Sequence, residues 1–571
     1  MTAETTVAFE FGPFRLEPRE RQLLRSGRPV ALTPKAFETL QALVVRGGRA
    51  VSKDELMRTV WPDTNVSDAT LAQNVFAVRK ALGDADCIET VPKFGYRFVP
   101  AVRELPVVAR KIALAVLPFD NLNGPEQNFF SDGLTEEMIT ELSRLSADRL
   151  SVVGRTSTML YKGARKTIAE VGRELGVAYV LEGSVRRVGQ RVRISAQLIQ
   201  TSDQTHVWAE GYERNLDDVL SLQCEVARAV AREIRVTLTP QHEARLARPR
   251  PIDPKAYEAY LKGRYFWNRR TRDALEKSVE CFREATSVDP GYAAAYAGLA
   301  DCYLRMLDYG HLPPREASAL ANAAALKALA IDEMQAEAHT SLGHRSFHEF
   351  DWRGAQASFE RALSINPGYD TAHYYCANLL AAIGRFDDAI REARRALELD
   401  PVAVSVILNA AFISHLARRP ADAHAFVDKA LDIDPHFAHA HYHRGLIYAL
   451  EGLYDKAIDS FEKALGRGPG SIAALAHACA MAGRRDDARR LLQTLLDRTP
   501  TAYVSSFDVA LVLVGLDERA QAFEWFDKAY EERAAGLAFV RSDPRFESLT
   551  SDRRFHRLLY RLGFSSVSPL G

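Results

Sequence analysis

Proline recurs at a fixed period through the second half of this chain. Pro367, Pro401, Pro435 and Pro469 lie 34 residues apart, and Pro290 and Pro500 extend the series, with Glu333 filling the one missing anchor. A period of this length marks one supersecondary unit per repeat, too small to bury its own apolar face and stable only when stacked on copies of itself. Ten residues after each anchor stands a small side chain: Ala300, Gly343, Ala377, Ala411, Gly445, Cys479 and Ala510. A second set precedes the next anchor by five (Ala285, Ala328, Ala362, Ala396, Ala430, Ala464), and Ala355, Ala457 and Ala522 stand four residues before Phe359, Phe461 and Phe526. Small residues at these points let two antiparallel helices approach closely, the aromatic fills the space beside them, and proline ends the second helix. About eight such units span 253–533, with nine residues inserted after Pro290 and three deleted after Pro469; residues 534–571 are predicted to cap the last apolar face.

This pattern closely resembles the tetratricopeptide repeat. The chain of 571 residues is therefore expected to be multidomain and mainly α, with a C-terminal TPR α-solenoid and room for smaller domains before it. The longest uncharged run, Pro401 to Ala417, falls inside one repeat and is predicted to be a packed helix, not a membrane span. Six cysteines scattered without zinc spacing, and an N-terminus with no secretory pattern, fit a cytoplasmic location with free thiols.

Residues 1–102 carry a pattern of their own. Short strand signals precede Thr33-Pro34, an N-cap with proline at the first helical position, followed by KAFETLQALVVRGG. A second helix starts at Ser52 with Glu55 three residues on, a capping box. A third runs from Ser67 to Gly83, and IETVPKFGYRFV forms a closing hairpin. Three helices and a hairpin flanked by strands describe an α+β winged helix-turn-helix. Leu71, Val75, Val78 and Leu82 must face its core, which leaves Thr70, Gln73, Asn74, Ala77 and Lys80 on the other face of the third helix. Short amide side chains suit adenine edges in a major groove. Arg79, Lys80, Lys93 and Arg97 are placed to neutralise phosphates, with Tyr96 as a sugar or minor-groove contact. The segments LTPKAFETLQALV, SKDELMRTVWP, VSDATLAQNVFAVRKALGD and IETVPKFGYRFV resemble the OmpR/PhoB-type DNA-binding domain in order and spacing. That resemblance implies a third helix in the major groove and a wing in the minor groove. Where many members place basic residues in mid-helix, this chain has Phe76-Ala77.

Between these lies an α/β unit, 111–238, followed by a linker, TPQHEARLARPRPIDP, with four prolines; a shorter linker is expected at Glu104 to Pro106. SDGLTEEMITELSRL reads as a capped amphipathic helix whose first turn holds Glu136 and Glu137, favourable beside the helix N-terminus. Asp120 and Asp132 lie nearby, but no histidine, serine elbow or phosphate loop accompanies these acids, so no catalytic site and no enzyme is expected. Alternating charges at Arg186, Arg187, Arg191 and Arg193 read as a solvated sheet face. The run from VLPF to HVWAEGYER resembles the TolB-like amino-terminal module, which implies a sensory or interaction role.

The cluster His436, His439, His441 and His443 invites a metal, but His441 shares a repeat position with Tyr296, His339 and His373, so it is assigned to packing, and no metal or cofactor is expected. His339, His373 and His441 are predicted to line a concave groove that takes protein or peptide partners. The sequence thus points to a transcriptional regulator: the winged helix binds promoter DNA, as a homodimer if one module covers a half-site, and the TolB-like and TPR regions carry sensory and protein-interaction input. A scaffold whose winged helix makes protein contacts is the alternative. Charge bears on both, since 74 basic and 74 acidic residues balance and residues 1–100 carry an excess of only two positive charges. Non-specific DNA affinity should accordingly be modest.

Overall fold

Antiparallel pairing builds the first of two compact units, residues 1–111 and 112–571. The computed structural model describes residues 7–18, 21–25, 28–62, 64, 66–83, 85–106, 111–145, 149–236, 250–465, 469–498 and 504–564. Strands β1 (Val7–Phe11), β2 (Phe14–Glu17), β3 (Gln22–Arg25) and β4 (Arg28–Val30) form a meander. Helices α1 (Pro34–Val44), α2 (Lys53–Val60) and α3 (Asp68–Leu82) follow, with β5 (Ala50–Ser52) between the first two. The hairpin β6 (Ile88–Val91) and β7 (Gly95–Phe98) pairs through β7 with β5. Thr33 caps α1 through the Ala36 amide, and Ser52 caps α2 through the Glu55 amide. The Glu55 carboxylate pairs with Arg46 at 2.8 Å. Leu71, Val75, Val78 and Leu82 are buried among Phe37, Leu40 and Phe98, as their spacing predicts. One boundary needs correction. Residues 104–106, expected as linker, belong to β8 (Arg103–Pro106), which pairs antiparallel with β1.

The second unit opens with a mixed sheet. It comprises β9 (Ile112–Val116), β10 (Asp120–Asn121), β11 (Leu150–Val152), β12 (Tyr179–Val188), β13 (Arg191–Gln200) and β14 (His206–Asn215). The order is β11-β9-β12-β13-β14, parallel in its first three strands and antiparallel afterwards, with β10 on β12. Helices α4 (Asn128–Leu145), α5 (Arg155–Met159) and α6 (Ile168–Leu175) lie between strands, and α7 (Val219–Glu233) follows β14. Most of the proline-rich linker, residues 239–249, lies outside the described residues.

Eight helix pairs then stack, among the described residues, from α8 (Pro254–Trp267) and α9 (Arg272–Val288) to α22 (Ser506–Gly515) and α23 (Arg519–Glu532). The small residues do what their spacing predicts. A Cβ on Gly343 would stand 2.5 Å from the Phe359 ring, and one on Gly445 2.6 Å from Phe461. Pro401 to Ala417 supplies the repeat helix Val404–Leu416, with Ile407, Leu408 and Ile413 buried. No helix of the described residues is long and apolar enough to cross a membrane.

Two findings depart from a simple chain of domains. The apolar core of the sheet is continuous with the first repeats, one cluster running from Val116 and Leu134 through Val226 to Phe282 and Tyr303. The C-terminal segment also does more than cap. Phe546 packs on Phe507 and Phe526 of the last repeat, but Phe539 reaches Phe347 and Phe412 at 5.6 and 5.0 Å, and Trp352 stacks on Phe564 and donates to the Leu562 carbonyl at 2.8 Å.

Gly445→Val should lower stability by about 1–3 kcal/mol through overpacking, and Phe461→Ala by about 3–5 kcal/mol through a cavity. Thermal melts of the two variants against the parent chain check both; a neutral Gly445→Val would show that this helix pair is not closely packed.

Candidate nucleic-acid interface

The third helix of the first unit meets the core along one stripe and leaves another outward. Ala69, Ala72, Gln73, Phe76 and Lys80 are exposed at helical spacing, and Thr70, Asn74 and Ala77 are half-buried beside them. The helix ends at Gly83 in the left-handed conformation, its amide returned to the Arg79 and Lys80 carbonyls. At the start, Asp68 pairs with Lys53 at 2.5 Å, and the Ser67 and Thr70 hydroxyls lie 3.3 Å apart.

The predicted residues fall into three groups. Gln73, Lys80 and Lys93 are outward and exposed, Lys93 at the tip of the wing with φ +60°. Asn74 and Arg79 are tethered: the Asn74 amide donates to the Thr70 carbonyl at 2.9 Å, and the Arg79 guanidinium donates to the Ile88 carbonyl and the Thr90 hydroxyl. Arg79 thus fastens the helix to the wing, and Arg97 pairs with Glu89 across the wing at 3.3 Å. Tyr96 is a correction. Its side chain sits in the core at 7% exposure, because β7 alternates and Tyr96 shares the inward face with Phe98. Ala77 likewise packs against the edge of the core. Sequence reasoning passed over two exposed aromatics, Phe76 on the helix and Phe94 on the wing, 66% and 49% exposed. The signal was present, since position 76 is opposite Leu71, Val75 and Val78.

In the second unit the α/β part packs directly on the repeats. Helix α4 packs on β9, β11 and α7 and, on its other side, against α8 of the first repeat. Of its residues, Phe130, Leu134, Met138 and Leu142 are buried with Ser131, Asp132 and Glu136, so the amphipathic helix expected here is covered on nearly all faces. Glu136 and Glu137 are also corrected, because the helix begins at Asn128 and places them in its middle. Arg264 of α8 and Arg155 both pair with Glu136, and the Asn268 amide donates to it at 2.9 Å. Burial opposes ionisation of Glu136, but the two guanidinium groups outweigh it and hold the carboxyl below its usual range. Tyr260 donates to Glu137 at 2.7 Å, and burial pushes this second carboxyl up to about 7.

Further contacts carry the same docking along the repeats. Arg144 of α4 pairs with Glu337 at 2.6 Å, Asn366 donates to the Ser143 hydroxyl at 3.2 Å, and the Ser157 amide donates to Asp400 at 2.8 Å. The Gly154 amide donates to the Leu399 carbonyl at 2.6 Å, and a Cβ at Gly154 would stand 2.8 Å from the Asp400 carboxyl carbon. The histidines assigned to the groove close turns. His339, His373 and His441 each donate Nε2–H to the carbonyl six residues before, at 3.0 to 3.1 Å from Glu333, Pro367 and Pro435. That carbonyl belongs to the turn just past the helix C-cap, and the imidazole satisfies it.

A winged helix, a mixed α/β unit and a TPR array thus define a chain with one DNA-binding module and one large helical body. Comparison with known proteins agrees module by module. Residues 27–98 match the family of transcriptional regulatory protein C-terminal domains, and 110–229 match the second domain of HilA/YgeH-like transcriptional regulators. Residues 346–406, 417–472 and 448–507 match tetratricopeptide repeats. The Salmonella typhimurium transcriptional regulator HilA is 26% identical over 415 residues, 71% of this chain and 73% of that protein. A putative adenylate cyclase 3 of Rhizobium meliloti is 42% identical over 196 residues, 34% of this chain, and the match spans only 33% of that protein's length. The Escherichia coli transcriptional activator CadC is 32% identical over 96 residues, 16% of this chain and 19% of that protein.

Glu137 folds most readily with its proton on, whereas in the unfolded chain it titrates near the ordinary glutamate value of 4.5. Its contribution to stability is therefore full below about pH 4.5 and is lost as pH rises to about 7, a loss on the order of 1–3 kcal/mol. Glu137→Gln keeps an acceptor for Tyr260 and removes the titration. Its melting temperature should exceed the parent's at pH 8 and match it near pH 5; parallel pH profiles would contradict the assignment.

Proposed function

We propose that this chain is a DNA-binding transcriptional regulator, non-enzymatic and cytoplasmic, whose winged helix is the output of the TPR-bearing body. The observation that carries the reading is the exposed stripe on α3, which presents an amide, an aromatic and an ammonium in one line beside a lysine-tipped wing. In a major groove, Gln73 reads an adenine edge, Phe76 lies against a thymine methyl, and Lys80 and Lys93 meet phosphates. Thr70, Asn74, Arg79 and Arg97 position the helix and wing, and reach DNA only by leaving their internal partners.

The middle unit acts as a TolB-like input module that senses or binds a partner, and the similarity to HilA supports a regulator of this domain order. Internal ion pairs at Arg46, Lys53 and Arg97 leave few free cations on the winged helix. A single copy should therefore hold DNA weakly, and a homodimer on paired half-sites supplies the missing affinity.

Genome-wide capture of bound DNA, repeated with residues 1–106 deleted, tests the reading. The full chain should occupy discrete promoter sites and the truncated chain none; sites that persist in the truncation would favour a scaffold held at promoters by other proteins. On a captured duplex, Gln73→Ala should weaken specific binding by about 1–3 kcal/mol and leave random-duplex binding unchanged. Lys93→Ala should weaken both alike and lower the salt slope by about one. Equal patterns from the two variants, read by fluorescence anisotropy across a salt series, would show that α3 is not the reading element.

A further inference from the structure

Three side chains from two repeats converge on one point. Asp308 is the last residue of α10 (Ala293–Asp308), and His344 and His348 lie one turn apart at the end of α12 (Ala336–His348). The Nε2 atoms of the two imidazoles are 3.0 Å apart, and each lies 3.2 Å from the same oxygen, Oδ1 of Asp308. Both histidines are 4% exposed.

Neutral imidazoles do not satisfy this triangle. If both Nε2 atoms carry hydrogen, two N–H groups oppose each other; if one does, the other lone pair faces a carboxylate oxygen; if neither does, three lone pairs converge. A cation satisfies all three at once. With metal–ligand bonds of about 2.1 Å, an ion would sit roughly 1 Å out of the plane of these atoms, and the edges of an ideal tetrahedron would measure about 3.4 Å. The observed separations are within a few tenths of an ångström of that. From these distances we infer that Asp308, His344 and His348 form a transition-metal site of the zinc type, with a fourth position left for water or another ligand.

The surroundings favour this class of ion. Arg305 donates to Asp308 Oδ2 at 3.1 Å, which orients the carboxylate and leaves Oδ1 for a single metal bond. His344 stacks on Tyr375 with centroids 3.9 Å apart, which fixes its ring plane. One carboxylate beside a guanidinium offers too little negative oxygen for calcium or magnesium, whereas two imidazoles suit zinc, cobalt or nickel. Asp308 and His348 are the last residues of their helices, where the helix dipole is negative and a cation is favoured. The predicted function of such a site is to lock the second repeat to the third. It departs from the sequence expectation of no metal, and the histidines concerned are not those of the 436–443 run. Their i, i+4 spacing was a signal, but the carboxylate that completes the set comes from the preceding repeat.

The test uses the full chain, stripped with a chelator and dialysed, then titrated with Zn2+ or Co2+. The expected results are one zinc per chain by elemental analysis, a tetrahedral Co2+ absorption spectrum, and a melting temperature raised by Zn2+. His344→Ala and Asp308→Asn should each weaken zinc binding by more than roughly a hundredfold, beyond the effect of losing a residue behind a ligand. His439→Ala should leave it unchanged. Absence of the tetrahedral Co2+ spectrum in the parent chain would overturn the inference whether or not the variants fold, as would zinc retained in His344→Ala or lost in His439→Ala.

Discussion

The buried carboxylate of Glu136 requires a cation from outside its own helix, and the architecture of the large unit follows from how that requirement is met. Glu136 is 7% exposed in the middle of α4. A single buried charge costs several kcal/mol, so α4 lies only where Arg264 of the first repeat and Arg155 of the α/β unit both reach it. Such a pair adds little net stability against an apolar alternative, but removal of one partner is costly, so it specifies position. Arg144 with Glu337 and the Ser157 amide with Asp400 then extend the same register to later repeats.

The consequence for function is that part of the repeat surface is already engaged by the chain itself. Helix α4 and the segment around Gly154 to Ser157 hold one set of repeat residues, and the C-terminal segment holds another through Phe539, Ser542 and Leu562. An external partner that takes those repeat residues must displace one of these. Input is then more simply carried by surfaces that remain outward, and the α/β unit and the repeats respond as one body because they share one apolar core.

Much of this was legible in the residues. The 34-residue period, the small-residue positions and the caps at Thr33 and Ser52 each have one local physical cause, and each appears as spaced. The stripe Leu71, Val75, Val78 and Leu82 fixed which face of α3 is outward. Tertiary facts escaped. Nothing local in TEEMITEL says that the repeats cover its polar side, so Glu136 and Glu137 looked like ordinary helix-start acids. Tyr96 was misplaced because a wing tyrosine reads as polar until strand alternation assigns it inward. His373 looked like a groove residue because its partner, the Pro367 carbonyl, is a backbone group that sequence does not display.

Native-state hydrogen exchange on the full chain tests the central claim most directly. If α4 is locked between the sheet and the first repeats, the amides of residues 130–144 should be as protected as those of 256–267 and open with them in one step as denaturant is added. Amides of α4 that exchange early, while 256–267 stay protected, would contradict the account.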